Sequence, residues 1–292
     1  MTIHSLGYLR IGITDPDRWS VFVGDFLGLQ QVEGLTEGAL HYRLDEFHHR
    51  IALVPAPAPG LQAVGFQVTN ARALDVLIER LEGAGHTVTR GGKEEADARR
   101  VAGFAAVSDP GGNPVELFYG PRFDHSVPQT PGVSAFVTGD LGMGHVILNV
   151  TDIEAAYAFY VDLLGFAERN TTETPAGTLY FLGCNARQHT LGLAPAAAPG
   201  LLHFMVEGGT LDDVGRALDR AYTHDVPMMQ SLGRHTNDHM VSFYVWSPDL
   251  HAVEFGYDGD RVAGNPPSYD ITEGAFWGHR FTPPPAPGGT GA

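Results

Sequence analysis

Along this chain, short runs that alternate apolar and polar residues are separated by stretches of helical spacing and by turns rich in Gly, Pro, Asp and Asn. Such a pattern predicts half-buried strands interleaved with a few amphipathic helices. Residues 252–257 (AVEFGY) are an example: Val253, Phe255 and Tyr257 fall on one face, Ala252, Glu254 and Gly256 on the other. A carboxylate on an inner strand needs a partner, because a charge buried alone costs several kcal/mol. Just upstream, RHTND and VSFYVW place His235, His239 and Tyr244 close to it in the chain.

The pattern also repeats. DPDRWSVFVGDFLGL (15–29) aligns without a gap on DIEAAYAFYVDLLGF (152–166), so that Asp15, Phe22, Asp25, Leu27 and Gly28 recur as Asp152, Phe159, Asp162, Leu164 and Gly165. Each copy follows an apolar strand, opens on Asp as an N-cap and closes near Gly, which predicts a short helix. A second pair matches the helical stretch from Ala73 to the one from Asp213, and a third matches Val115-Glu116 to Val253-Glu254. The chain is therefore a duplication, each half holding two strand–helix–strands modules that start near Gly7, Leu61, Gly142 and Leu201. The boundaries expected are an N-terminal module pair over 1–130, a linker rich in Pro, Ser and Gly, a C-terminal pair over 136–282, and a disordered Pro/Gly tail over 283–292.

Position by position, the two halves differ in chemistry. His145 lies opposite Tyr8, His203 opposite Ala63, and Glu254 opposite Glu116. Each residue alone on its strand reads as a core or pocket residue. Together, at repeat-equivalent positions, two imidazoles and one carboxylate form a ligand set that leaves three positions open, as in non-haem Fe(II) oxygenases. A divalent cation would also neutralise Glu254. Glu116 is expected to be a carboxylate near solvent or in a salt bridge, since Tyr8 and Ala63 cannot complete a second metal site. In isolation, HTND (235–238) reads as a polar turn and His189 as an edge residue at the start of an apolar strand.

Acidic side chains outnumber basic ones, 34 to 18, for a formal charge of -16. That field repels nucleic acid and anionic membrane, so neither is an expected partner. No apolar run reaches the ~18 residues of a bilayer span, and the N-terminus carries no basic-then-apolar signal. Cys184 is the single cysteine, which excludes an intrachain disulfide and points to a cytoplasmic location.

The ordered set SLGYLRI, GMGHVILNV…DLLGF, FLGCNARQHTLGL, LHFMVE, LGRHTNDHMVSFY…VEFGY and FWGHRFT resembles the type I extradiol catechol dioxygenases of the vicinal oxygen chelate superfamily, over nearly the whole chain. The resemblance implies an α+β fold, two domains each of paired βαβββ modules, with the metal in the C-terminal one. It implies Fe(II), with Mn(II) as the alternative, held by His145, His203 and Glu254. It makes His189 the acid/base catalyst beside the dioxygen position. His235 and Tyr244 would hydrogen-bond the catechol oxygens and assist their deprotonation, supported by Asn237 and Asp238. Ile147 and Phe181 would line the distal end of the substrate pocket. The implied activity is meta-cleavage of a bicyclic or polycyclic catechol such as 2,3-dihydroxybiphenyl, with catechol and dioxygen as substrates and a homo-oligomer, dimer to octamer, as the assembly. One departure concerns the substrate: several biphenyl-type members carry a second His before the ligand, where this chain has Leu202. The rival readings on the same fold are a glyoxalase-like isomerase and a metal-free, bleomycin-resistance-like protein that binds an aromatic ligand.

Overall fold

A computed structural model describes residues 3–285; of the expected tail, residues 286–292 lie outside the described residues. Two sheets follow one another along the chain. The first holds β1 (Ile3–Ile13), β2 (Gln30–Val32), β3 (Leu40–Arg43), β4 (Ile51–Pro55), β5 (Gly60–Val68), β6 (Thr89–Arg90), β7 (Val101–Ser108) and β8 (Pro114–Pro121). The second holds β9 (His145–Val150), β10 (Ala167–Thr174), β11 (Gly177–Gly183), β12 (Leu191–Pro195), β13 (Gly200–Glu207), β14 (Met228–His235), β15 (Val241–Trp246) and β16 (Ala252–Tyr257). Two short strands, β17 (Tyr269–Ile271) and β18 (Ala275–Trp277), extend its edges.

Strand order shows the duplication directly: β2-β3-β4-β1-β5-β8-β7-β6 in the first sheet and β10-β11-β12-β9-β13-β16-β15-β14 within the second. Each sheet is two βαβββ modules joined through the antiparallel pairs β1/β5 and β9/β13, which is the α+β arrangement implied by the family resemblance and consistent with the two modules per half read from the repeat. The helices are α1 (Pro16–Ser20), α2 (Ala71–Gly83), α3 (Lys93–Arg99), α4 (Ile153–Tyr157) and α5 (Leu211–Thr223). Asp15 and Asp152 cap α1 and α4 by accepting from Arg18 N and Ala155 N. Both helices run on into a π-helical segment. The helix α3 has no counterpart in the second half and was not expected from the repeat.

The period-two alternation decides which residues build the core. Leu9, Ile11, Val64, Phe66, Val115 and Leu117 in one half, and Val146, Leu148, Phe204, Val206, Val253 and Phe255 in the other, join one buried apolar cluster. Each such side chain contributes about 1.5–3 kcal/mol through burial. Residues between them on the same strands face the opposite way, into the concave inner side of each sheet. The halves are also tied by equivalent bonds: Arg80 Nη1 donates to Leu163 O at 2.8 Å, and Arg220 Nε to Phe26 O at 2.8 Å. Among the described residues, no helix is long and apolar enough to cross a membrane.

Candidate metal centre

Register places the three candidate ligands together. His145 on β9 pairs with Met205 on β13, which pairs with Glu254 on β16, which pairs with Tyr244 on β15. Directly opposed residues on neighbouring strands share a face, so all four side chains enter the same concavity. His203, two residues before Met205, shares that face and pairs with Ile147. A one-residue slip of β9 would replace His145 with Val146 and empty the site.

His145 Nε2 lies 3.1 Å from His203 Nε2 and 3.1 Å from Glu254 Oε2, and His203 Nε2 lies 3.6 Å from the same oxygen. Metal–ligand bonds of about 2.1 Å set roughly at right angles would separate ligand atoms by about 3 Å. Glu254 is 0% exposed, and neither carboxylate oxygen has a hydrogen-bond partner among the described residues. Buried carboxylates are otherwise satisfied, so this orphaned pair fits a cation. Burial works against charge on Glu254, but the imidazoles of His145 and His235 hold its carboxyl well below the usual range. Burial, reinforced by His145, drives His203 down to about 3. It is therefore neutral, the form that ligates metal.

Two further imidazoles flank the centre. His189, 3% exposed, stacks at 4.1 Å on the His145 ring and has Phe181 edge-on at 4.9 Å. Its Nδ1 faces Gln188 Oε1 at 2.6 Å, with Asp238 Oδ2 at 3.9 Å. Burial, then His145, keeps its pKa well below that of a free imidazole. His189 is thus no edge residue: it lies in the loop before β12, an interior strand of its sheet. His235 Nε2 is 2.8 Å from the Tyr244 hydroxyl and its Nδ1 is 3.0 Å from Gly274 O. Burial disfavours charge on His235, yet Glu254 at 3.4 Å lifts its pKa to about 9. A cation on Glu254 would compete for that charge.

These groups line a cavity of about 400 Å³, within the size range of small-molecule sites. Asn237, Asp238, Ile147, Phe181 and Leu202 line it as well, so the HTND segment is more than a solvated turn. Asp238, 3% exposed, has its pKa raised by burial. His239 points elsewhere, 2.7 Å from Asp260 and stacked on Phe276. Glu116 is not near solvent: at 4% exposed it accepts from Tyr8 and pairs with Arg99 of α3.

Of the cavity residues that the sequence reasoning did not single out, His279 bears most directly on the site. His279 stacks on His235 at 4.0 Å and 17° and meets Tyr244 at 5.7 Å. It lies on a C-terminal strap that pairs β18 with β14. The strap sits close because Gly233 and Gly278 lack side chains: a Cβ on Gly278 would strike Leu232 O, and one on Gly233 the His279 backbone. The only hint in the sequence was FWGHRFT, whose Gly-His step carries no periodic signal.

Known proteins share this architecture. The glyoxalase/bleomycin resistance protein/dioxygenase superfamily model matches residues 142–255, and a dihydroxybiphenyl dioxygenase first-domain model matches 6–56. An iron-dependent extradiol dioxygenase of Rhodococcus jostii is 37% identical, covering 97% of this chain and 98% of its own. A biphenyl-2,3-diol 1,2-dioxygenase of Paraburkholderia xenovorans is 38% identical, covering 96% of each. The crystal structure of BphC, a halotolerant catechol dioxygenase, superposes with a TM-score of 0.92 at 33% identity, over 96% of this chain and 95% of that one. With the repeat, the fold and the inner-face constellation in agreement, the chain belongs to the extradiol ring-cleaving dioxygenases of the glyoxalase/bleomycin resistance protein/dioxygenase superfamily.

Proposed function

We propose that the protein is an Fe(II)-dependent extradiol dioxygenase whose preferred substrate is a two-ring aryl catechol such as 2,3-dihydroxybiphenyl. One observation supports the metal: buried Glu254 has no hydrogen bond to either oxygen among the described residues, and its Oε2 lies 3.1 and 3.6 Å from the Nε2 atoms of His145 and His203. Those three residues would hold the ion, and the same donors suit Mn(II). When bound, ferrous iron supplies positive charge that favours deprotonated catechol oxygens and a path for electrons from ring to dioxygen.

Proton movement falls to the protein. With a cation on Glu254 and His235 neutral, the Gly274 carbonyl facing Nδ1 keeps the proton there and leaves Nε2 to accept from the Tyr244 hydroxyl. A substrate hydroxyl beside Tyr244 would give its proton to Oη as Tyr244 passes its own to His235 Nε2. His189 donates from Nδ1 to Gln188 Oε1, so its Nε2 stays free to accept a proton and return it to oxygen as the ring opens. Asn237 and Asp238 fix the β14–β15 turn by accepting from Asp238 N and Met240 N, and Asp238 Oδ2 stands 3.9 Å from His189 Nδ1. An isomerase or a passive binding protein would have no use for these paired acid/base groups.

Relatives that act on 3-methylcatechol and on biphenyl-2,3-diol are 37% and 38% identical to this chain, so likeness alone does not choose ring number. The cavity wall supports two rings: Ile147, Leu179, Phe181, Leu202 and Ile271 present apolar surface, worth about 25 cal/mol per Å² of ligand buried. The test is anaerobic purification, metal analysis and oxygen uptake with a panel of catechols. The expected result is about one Fe(II) per chain and formation of a yellow ring-opened product. Iron-loaded protein that consumes no oxygen with any catechol would sink the reading.

A further inference from the structure

The inner face of the N-terminal sheet carries an arginine and imidazoles at positions where the C-terminal half carries apolar residues and the candidate ligands. Across its sheet one row runs His41 (β3), Ala52 (β4), Arg10 (β1), Ala63 (β5). In the C-terminal half the equivalent row is Phe181, Gly192, Ile147, His203. Where the candidate catalytic half has an apolar wall, the N-terminal half therefore has an arginine and an imidazole. The next inner row is Tyr8, Gly65, Glu116. His49 stands at the position of His189, its ring 4.7 Å from that of His41.

Buried Arg43, Arg50 and Arg187 form ion pairs with Asp124, Asp45 and Glu207, and buried Arg169, which has no ion pair among the described residues, donates to the Gly264 and Asn185 carbonyls. Arg10 is only 8% exposed, yet it has no ion-pair partner among the described residues, and its Nη1 is buried without a hydrogen bond. Glu116, the carboxylate of the neighbouring row, is already taken by Arg99 and Tyr8. Arg100 Nε and both ring nitrogens of His41 are also buried without partners; the Ala39 carbonyl near His41 lies outside hydrogen-bond geometry. Burial, then Arg10, lowers His41 to about 4, so its ring is neutral and keeps one N–H to donate.

A buried, unpaired guanidinium is costly and is normally compensated by an anion. We propose that the N-terminal half binds a small oxyanion, carboxylate or phosphate-like, on Arg10, with His41 and His49 donating at its flank. The guanidinium fork suits two oxygens of one anion in parallel. With the proposed metal site, the duplicated scaffold would then hold a cation in one half and an anion in the other.

The test is thermal unfolding of the iron-loaded enzyme against sulfate, phosphate and acetate, with sodium chloride at matched ionic strength as the reference. A specific site gives a saturable rise of a few degrees beyond the chloride curve. Whichever oxyanions produce it define the class bound. Arg10→Gln should abolish the rise while iron content and ring cleavage stay as in the wild type. Without added oxyanion this variant should melt no lower than the wild type, since an unpaired charge has been removed. Arg10→Lys, which keeps the charge and guards against a variant that fails to fold, should bind several-fold more weakly for want of two parallel N–H groups. No saturable rise in the wild type, or an equal rise in either variant, would overturn the site.

Discussion

Glu254 and Glu116 occupy the same register position in the two halves of the chain, opposite Met205 and Gly65 on the neighbouring parallel strand. Glu116 is saturated by Arg99 and Tyr8, whereas both oxygens of Glu254 lack a hydrogen bond among the described residues. A single duplicated carboxylate is thus a closed salt bridge on one side and, on the other, a carboxylate left open as a candidate metal ligand. Opposite outcomes follow for their substitution.

Glu254→Gln, His145→Ala and His203→Ala should each lose most of the iron and ring-cleaving activity, since each removes one of three donors. Chelation should lower the melting temperature of the wild type but leave that of Glu254→Gln unchanged, because ligand linkage stabilises only a protein that binds. Metal analysis with paired melting curves checks this. Wild-type iron content in all three variants would refute the assignment.

Glu116→Gln should behave differently. It leaves the partly buried Arg99 without its anion, at a cost of up to about 3–5 kcal/mol in stability, while the iron content of folded protein stays unchanged. Urea denaturation gives the first quantity and metal analysis the second. Loss of iron in this variant would mean that the halves share a metal.

His189→Asn should retain iron and bind catechol, yet turn over about 10²–10⁴-fold more slowly, the usual contribution of a general acid/base. Single-turnover kinetics separates binding from ring opening. Unchanged turnover would make His189 purely structural.

The apolar wall of the cavity is expected to set substrate choice. The specificity constant kcat/KM for 2,3-dihydroxybiphenyl should exceed that for catechol by at least roughly tenfold, about 1.4 kcal/mol in transition-state stabilisation. Phe181→Ala should narrow the gap by raising KM for the two-ring substrate more than for the one-ring one. Initial rates in air-saturated buffer decide it, and equal constants would indicate a small-catechol enzyme.

Gly278→Ala should displace the C-terminal strap, because a Cβ there meets Leu232 O and the residue holds a φ of +75° that glycine tolerates best. With His279 withdrawn from the His235 ring, KM should rise while iron content is kept. Kinetics at saturating oxygen would show it, and wild-type KM would mean that the strap adapts without loss.

How much of this was legible in the chain depends on distance. The module order and the His145, His203, Glu254 constellation follow from alternation and duplication, because side-chain direction in a strand is a local property; the α+β class came from the family resemblance. A gap-free repeat carries one half's geometry onto the other, so equivalent positions could be matched before any coordinates. The same reasoning left Glu116 between solvent and salt bridge, since α3, which delivers Arg99, has no counterpart in the second half. His279 was hidden for a related reason: its place against His235 comes from close approach across Gly233 and Gly278, which is long-range packing without a period. Nothing in the local pattern singles out Arg10 on its strand. Only the row across four strands brings it beside His41 and shows its guanidinium short of a partner. Local pattern determines which way a side chain points; tertiary register determines what it meets, and therefore which buried charges are answered.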